Sequence, residues 1–150
     1  MDILVSKVKI KRLSSTARIP EKATANSAGY DLYSDETVLL LAKGYIAVST
    51  GISMEMPCNM EAQVRPRSGL AINHGVTILN APGTIDADYR GEIKVLLVNF
   101  SDKDFLIKKE TRIAQIIFST VSPTLLEEVA DLNETARGNG GFGSTGNEKL

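Results

Sequence analysis

The segment Met60–Arg65 reads MEAQVR, so that apolar and polar side chains alternate at every position. Because successive side chains of a strand point to opposite faces, the three apolar residues would share one face. This pattern predicts a half-buried strand of antiparallel type, with its other face in water. The same alternation occurs in Lys7–Lys11 and Ile52–Met56, which we also predict to be half-buried strands.

Other segments are continuous apolar runs, which are typical of fully buried strands in a sandwich or barrel. They are Val38–Leu41, Ile93–Val98 with Lys94 interrupting it, and Ile113–Phe118 around Gln115. Glycine, proline, asparagine and aspartate separate these runs, and no strand–helix alternation occurs. The sequence therefore predicts an all-β domain.

Helix is predicted to be scarce. Ser68–His74 could form one short helical turn, with Ser68 as its capping residue. The stretch Thr124–Thr135 is ambiguous, because Leu125, Val129 and Leu132 recur at helical spacing but the stretch follows a proline and leads into loop residues.

The composition bounds the class of protein. The chain has 150 residues, of which 43% are hydrophobic and 23% charged, as in a globular single domain. A net charge of −1 excludes general electrostatic binding to nucleic acid or anionic membrane, although a small anion needs only a few local cations. Cys58 is the only cysteine, which excludes an intrachain disulfide and a thiolate metal cluster and predicts a reducing compartment.

The hydrophobicity pattern predicts neither a membrane span nor a signal peptide. No apolar run approaches the length of a membrane span, and the first residues, Met1–Arg12, lack the apolar region of a signal peptide. We therefore expect a cytoplasmic protein, or a nuclear one in a eukaryote.

The most unusual segment is the glycine-rich stretch Arg137–Gly146, which reads RGNGGFGSTG. Glycine-rich backbone can direct N–H groups at an anion, with hydroxyl donors from Ser144 and Thr145 and a fixed charge from Arg137. By itself such a terminus is more often a disordered segment. The presence of Phe142 favours the ligand-binding interpretation, because an aromatic ring among glycines could stack on a nucleobase.

Two further clusters combine charged and hydroxyl groups with turns. In Pro66–Ala71 an arginine and a serine precede a possible helix start, which suits phosphate as well as a simple helix cap. Gly83–Gly91 reads GTIDADYRG and predicts a hairpin carrying two carboxylates, a tyrosine and an arginine. Ordinary turn chemistry would explain it, but a carboxylate beside a water can also act as a general base.

Single polar residues in apolar surroundings complete the set of candidates. Asp31 and Gln115 interrupt apolar segments, and core hydrogen bonding is the simplest interpretation of each. His74 is the only histidine, so a histidine-based metal site or a Ser-His-Asp triad is nearly excluded.

Taken in order, these segments resemble the five sequence motifs of the trimeric deoxyuridine triphosphate nucleotidohydrolases (dUTPases). The motifs correspond to Ala28–Ser34, Pro66–Ala71, Gly83–Asn99, Arg112–Phe118 and Arg137–Gly146, and they span nearly the whole chain. The resemblance implies a jelly-roll-like or distorted barrel of short, mostly antiparallel strands that forms a homotrimer. Residues 1–135 would be the β-barrel domain, and residues 136–150 a flexible arm closing over a site of the trimer.

The resemblance also implies an activity, namely Mg²⁺-assisted hydrolysis of dUTP to dUMP and pyrophosphate. This reaction limits uracil incorporation into DNA and supplies dUMP for dTMP synthesis. Asp86 matches the carboxylate that activates the attacking water for in-line attack on the α-phosphorus. Asp31 matches an acid that holds a metal-bound water, while Mg²⁺ is bound mainly by the substrate phosphates.

The remaining roles concern the substrate. Asn80 and the hairpin backbone at Gly83, Thr84 and Ile85 resemble a uracil pocket too tight for a 5-methyl group. Tyr89 matches the ring that packs under the deoxyribose and leaves no room for a 2′-hydroxyl. The residues expected to contact phosphate are Arg67, Ser68, Gly69 and Gln115. From the arm, Arg137 would bind the γ-phosphate and Phe142 would close over the uracil, flanked by Gly143, Ser144 and Thr145.

Two alternatives stay open from the sequence. A dCTP deaminase shares the fold and needs a carboxylate near the base, for which Glu92 is the nearest candidate. A non-catalytic β-trimer that binds nucleotides as a sensor would keep the phosphate-binding groups but has no need of Asp86.

Overall fold

Strands account for most of the regular structure in the computed structural model, which describes residues 5–144 and 146. The strands are β1 (Lys9–Arg12), β2 (Tyr30–Tyr33), β3 (Val38–Leu40), β4 (Tyr45–Ser49), β5 (Ile52–Glu55), β6 (Met60–Arg65), β7 (Val76–Ile78), β8 (Gly83–Ile85), β9 (Lys94–Asn99), β10 (Phe105–Ile107) and β11 (Arg112–Thr120). One helix, α1 (Ser68–His74), lies between β6 and β7. The prediction of an all-β fold with little helix is confirmed.

The strands form four sheets. The largest has the order β2-β11-β6-β8, a second has the order β4-β9-β7, and β1-β5 and β10-β3 form two-stranded sheets. Every strand pair is antiparallel, as predicted. Within the described residues the four sheets do not join into one closed barrel.

A single hydrophobic core connects the sheets. Each sheet contributes to it: Ile116 from the largest, Leu97 from the second, and Ile52 and Leu40 from the two small sheets are all at most 1% exposed. Truncating such a side chain to alanine costs about 2–5 kcal/mol of stability. The core therefore fixes the positions at which the strands end and the loops of the site begin.

Two details of burial differ from the sequence prediction. The run Val38–Leu41 is not fully buried, since Leu39 and Leu41 are 47% and 58% exposed. The reason is that side chains alternate between the two faces of a strand: Leu40 is 1% exposed and packs into the core, whereas its two neighbours lie on the opposite face. Conversely, Ser53 is buried although the alternation places it on the wet face of β5.

Helix α1 occupies the predicted residues but is not capped as predicted. Its N-cap position is Arg67, no side chain there caps the helix, and Ser68 is the first helical residue. The helix ends at Gly75, whose φ of 65° is the left-handed conformation that glycine adopts without strain. No membrane-crossing helix, by length and apolar character, occurs in the part of the chain that the structure describes.

The segment Gly83–Gly91 is not a hairpin. Strand β8 pairs with β6, whereas β9 lies between β4 and β7, so the connection after Ile85 crosses from one sheet to another. Ile85 and Ile93, at its two ends, are both buried in the core. The connection is consequently anchored at both ends, and its middle, residues 86–91, is a turn at the surface.

Candidate active site

A cleft of about 640 Å³ opens beside the turn that follows β8. We call it the turn cleft. The sequence-predicted residues that line it are Asn80, Gly83, Thr84, Ile85, Asp86 and Tyr89. Its other walls are Val64, Ile78, Glu92, Ile93, Lys94 and Leu96. Of the residues expected to bind the nucleoside, the structure thus places Asn80, the β8 backbone and Tyr89 around one cavity, together with the expected catalytic carboxylate. Phe142 is not among them.

The turn itself holds Asp86 at the mouth of this cleft. Asp86 directly follows β8, is exposed, and its carbonyl accepts a hydrogen bond of 3.1 Å from the Tyr89 N–H. The Arg90 guanidinium donates to the carbonyls of Ala87 at 2.7 Å and Tyr89 at 3.1 Å. These bonds close the turn on itself, so the Asp86 carboxylate projects from an ordered backbone.

Asn80 lies against the backbone of β8. A Cβ at Gly83 would stand 3.4 Å from Asn80 Nδ2 and 3.5 Å from Val64 Cβ, both ordinary van der Waals distances, so the amide lies directly beside the strand at this residue. An amide next to open backbone can present both donors and acceptors to a flat polar ring.

A second cleft, of about 320 Å³, lies at the start of α1. We call it the helix cleft. It brings together all five residues that the sequence assigned to phosphate or metal binding there: Asp31, Arg67, Ser68, Gly69 and Gln115. Its remaining walls are Ala23, Ser27, Ala28 and Gly29. Around Gly69 the space is open, with no atom within 4 Å of where a Cβ would be.

The electrostatics of the helix cleft centre on Asp31, which is only 8% exposed. Arg67 Nε lies 3.1 Å from Asp31 Oδ1, and Arg112 Nη1 lies 3.4 Å from Asp31 Oδ2. Arg67 also donates to the Arg112 carbonyl at 3.2 Å. The carboxylate is therefore compensated by two arginines, and Arg112 is a site residue that the sequence analysis missed.

Strand register explains this cluster. In the β2–β11 pair, Gln115 stands opposite Asp31, and the register shifts between Arg112 and Ala114. Gln115 Nε2 donates to the Pro66 carbonyl at 2.9 Å, which ties β11 to the chain entering α1. An amphipathic pattern alone does not reveal such a cross-strand pairing, but a charged residue opening an otherwise apolar strand is the signal that could have found Arg112.

The described part of the glycine-rich stretch does not line either cleft of its own chain. The last strand ends at Thr120, and neither helix nor strand occurs in residues 121–144. Arg137 Nε donates to the Gly140 carbonyl at 2.8 Å, and Phe142 is fully exposed. Arg137, Phe142, Gly143 and Ser144 line neither cleft, and Thr145 lies outside the described residues.

The turn cleft and the helix cleft have no lining residue in common among those the structure describes. Groups suited to a base and sugar lie in one, and groups suited to phosphate lie in the other. The candidate site residues thus fall into three sets on a single chain: two clefts and an exposed terminal stretch.

The family model described as dUTPase matches residues 15–146 of this chain. The chain belongs to the dUTPase family. It is 53% identical over 145 residues to the deoxyuridine 5'-triphosphate nucleotidohydrolase of Rickettsia akari (strain Hartford), covering 95% of this chain and 98% of that protein. The enzyme of the same name from Nautilia profundicola is 52% identical over 140 residues, covering 93% and 99%.

Solved dUTPases have the same fold. The Staphylococcus bacteriophage 80alpha dUTPase, determined with dUPNHPP, superposes with a TM-score of 0.87 at 27% identity, covering 93% of this chain and 98% of that one. A proposal for the function of this chain must therefore account for two separate clefts and for an exposed terminal stretch.

Glu92, the residue considered for a deaminase, lines the turn cleft but has its carboxylate engaged. Oε1 accepts hydrogen bonds from the Ser49 hydroxyl and, at 3.0 Å, from the Gly51 N–H. Oε2 lies 3.8 Å from Lys94 Nζ. These contacts use the Glu92 carboxylate to connect parts of the fold, which does not favour a role as a free acid beside a nucleobase.

Proposed function

We propose that this chain hydrolyses dUTP to dUMP and pyrophosphate, and so limits uracil incorporation into DNA while supplying dUMP for dTMP synthesis. The observation that carries this proposal is the turn cleft of a dUTPase-family chain, where Asp86 stands beside Asn80 and Tyr89. A carboxylate next to a nucleoside-sized cavity is the arrangement that water activation near the α-phosphate requires.

The reaction is an in-line displacement. A water oxygen attacks the α-phosphorus as its proton passes to the Asp86 carboxylate. The new O–P bond forms while the bond from the α-phosphorus to the bridging oxygen breaks, and pyrophosphate leaves. Phosphoryl transfer of this kind depends mainly on positioning and on neutralising the developing charge, with little covalent work by the protein.

Substrate selection takes place in the turn cleft. Asn80 and the backbone of Gly83, Thr84 and Ile85 bind the uracil, in a pocket with no space for a 5-methyl group. The Tyr89 ring packs under the deoxyribose and excludes a 2′-hydroxyl. A rigid pocket can reject an added group more sharply than it can detect a missing one, so both exclusions are physically feasible.

The triphosphate binds the groups of the helix cleft. Arg67 supplies a forked cationic donor, Ser68 a hydroxyl, Gln115 an amide, and Gly69 an open stretch of backbone at the start of α1. From the arm, Arg137 binds the γ-phosphate and Phe142 covers the uracil, with Gly143, Ser144 and Thr145 adding backbone and hydroxyl donors. Such preorganised donors stabilise the transition state more than water can.

The donor set fits Mg²⁺ held chiefly by the substrate. Asp31 is a single carboxylate in the helix cleft, and the described residues contain no group of three acidic, histidine or cysteine side chains spaced to hold a metal. Mg²⁺ usually keeps several waters and binds through one or two carboxylates together with substrate phosphates. Asp31 would hold one of those waters, and the ion would neutralise charge on the phosphates.

The complete site draws on three chains. Because the turn cleft and the helix cleft are separate and the described part of the arm lines neither, we infer a homotrimer in which each site combines the turn cleft of one chain, the helix cleft of a second and the arm of a third. The division into residues 1–135 as the folded domain and 136–150 as the arm belongs to this proposal.

A substrate panel tests the proposed function. The wild-type protein and Asp86→Asn are assayed with Mg²⁺ and dUTP, dTTP, dCTP or UTP, following pyrophosphate release. We expect turnover of dUTP alone and a loss of about 10²–10⁴-fold in kcat for Asp86→Asn. Asp88→Asn, in the same exposed turn but outside the cleft lining, is the matched control and should retain activity.

Four results would contradict the proposal. Equal turnover of all four nucleotides would exclude a selective pocket. An unchanged kcat in Asp86→Asn would show that Asp86 is not the general base. Release of ammonia from dCTP would show a deaminase, whereas tight nucleotide binding without any hydrolysis would show a sensor.

A further inference from the structure

Glu92 fastens the end of the catalytic turn to a different part of the fold. It follows the turn at residues 86–91 and precedes β9, and its side chain is 23% exposed. Its Oε1 accepts from Ser49, the last residue of β4, and from Gly51 in the connection to β5. Next to it, Ile93 N–H donates to the Ile52 carbonyl at 2.9 Å.

The same residue also holds the sugar-facing ring. The Tyr89 hydroxyl donates to the Glu92 main-chain carbonyl at 3.0 Å. The ring lies so close over Gly91 that a side chain at that position would collide with it. The position of the ring is therefore set by the backbone at 91 and 92, and that backbone is set by the Glu92 carboxylate.

We propose that Glu92 is a positioning residue for substrate selectivity, which keeps Tyr89 in the place where it excludes a 2′-hydroxyl. This inference rests on the proposed function, because it assigns Tyr89 to the sugar. Exclusion by contact requires the ring to be fixed within a fraction of an ångström. Loss of the anchor lets residues 89–92 relax, so the ring yields to a larger sugar.

The anchor predicts a specific pattern among variants. Glu92→Ala removes the acceptor for both Ser49 and Gly51, and we expect the ratio of kcat/KM for dUTP over UTP to fall by about tenfold. Glu92→Gln keeps an oxygen that can accept both hydrogen bonds and should restore the ratio to within about twofold of wild type. The control is Glu55→Ala, whose exposed carboxylate pairs with Lys9 at 2.6 Å.

A double-mutant cycle separates positioning from plain stabilisation. Tyr89→Phe deletes the hydroxyl that bonds to Glu92, so the loss of selectivity in Glu92→Ala/Tyr89→Phe should be smaller than the product of the two single losses. Thermal unfolding measured on each variant confirms that the protein is folded. A purely structural Glu92 would lower the unfolding temperature and leave the substrate ratio unchanged.

Nucleotide binding makes the test independent of turnover. Calorimetric affinities for dUMP and UMP should differ in the wild type, and this difference should shrink in Glu92→Ala. An unchanged ratio in folded Glu92→Ala, or independent effects in the cycle, would overturn the inference. Failure of wild-type protein to hydrolyse dUTP would instead contradict the proposed function, since the binding difference does not depend on catalysis.

Discussion

Arg67 Nε lies 3.1 Å from Asp31 Oδ1, so a cation and a carboxylate that line the helix cleft are already paired with each other. Asp31 is nearly buried and keeps a second cationic partner in Arg112 at 3.4 Å. Arg67 is therefore held in place before any phosphate arrives, and little side-chain freedom remains to be lost on binding.

Replacing this arginine should weaken both binding and folding. We expect Arg67→Ala to raise the KM for dUTP by at least about tenfold, because one charge-assisted, forked contact is lost. It should lower the free energy of unfolding by about 1–3 kcal/mol, since Asp31 loses one of its partners. Steady-state kinetics and urea unfolding measure the two effects. Arg12→Ala, an exposed arginine on β1, should change neither, and a normal KM in Arg67→Ala would refute the phosphate role.

Gly29 controls the position of Gln115. A Cβ at residue 29 would stand 2.7 Å from Gln115 Oε1, so Gly29→Ala must push the amide away and break its 2.9 Å bond to the Pro66 carbonyl. We expect a KM for dUTP several-fold above wild type with stability changed by less than about 1 kcal/mol, because the closest of the crowded atoms, Gln115 Oε1, ends a flexible side chain. Kinetics and thermal unfolding measure both.

Gln115→Ala is the matched comparison for this prediction. It should raise KM to a similar extent, and Gly29→Ala should then add nothing further, because the group it displaces is gone. Additive effects of the two substitutions would show that Gly29 acts by another route.

Truncation after Thr135 tests the role of the arm. The core and all eleven strands lie before this residue, so the shortened protein should fold and assemble as the wild type does. Its kcat/KM for dUTP should fall by about 100-fold or more, because the arm's donors to the phosphates are lost. Circular dichroism, sedimentation and kinetics measure these three properties; a fully active truncated protein would contradict the shared site.

Mixed trimers provide a sharper version of the same test. Asp86→Asn supplies an intact arm and the truncated chain supplies an intact Asp86. Unfolding and refolding them together should restore activity in the sites that combine the intact parts. Activity no greater than the sum of the two separate proteins would show that each site is built from one chain.

The ionisation of Asp35 should make stability depend on acid pH. Burial disfavours the charged form, but hydrogen bonds from Ser14, Thr16 and Lys109, with the Lys109 charge, together outweigh it and lower the pKa below the ordinary 3.8. A carboxyl whose pKa is lower in the folded state stabilises the protein above pH ~4 and loses that contribution as pH falls through the folded pKa.

Asp35→Asn isolates this contribution. At neutral pH it should lower the free energy of unfolding by about 1–3 kcal/mol, because charge-assisted bonds are replaced by weaker ones. The difference from wild type should shrink as the pH drops below about 4, as measured by urea unfolding from pH 7 to pH 2.5. A difference that stays constant over this range would show that Asp35 ionisation does not contribute.

Local pattern predicts a large part of this fold. The alternation of Met60–Arg65 and the apolar run of Ile113–Phe118 both correspond to strands, and Ser68–His74 is helical. The pairing of β8 with β6 was not predictable, because partner choice depends on contacts far apart in sequence. Likewise, Leu39 is exposed because β3 packs only one of its faces on the core, which a continuous apolar run does not indicate.

The candidate site shows the same limit. The motif residues can be recognised from residue type and order. Their order along the chain, however, does not reveal that Asp86 and Arg67 line different clefts. The ion pair between Arg112 and Asp31 arises from strand register, which the sequence leaves open. On the proposed assembly, what lies beside Phe142 belongs to other copies of the chain, which the pattern of one chain does not reveal.

The long exposed stretch after Thr120 should make the activity of the protein depend on its own concentration. Leu125, Leu126 and Leu132 are 93%, 91% and 86% exposed on the single chain, and covering each would gain about 1.5–3 kcal/mol. On the proposed assembly, a neighbouring copy provides that cover, which couples association to stability by mass action. Specific activity should then rise with the concentration of the protein, and dilution alone should inactivate it by dissociating the assembly.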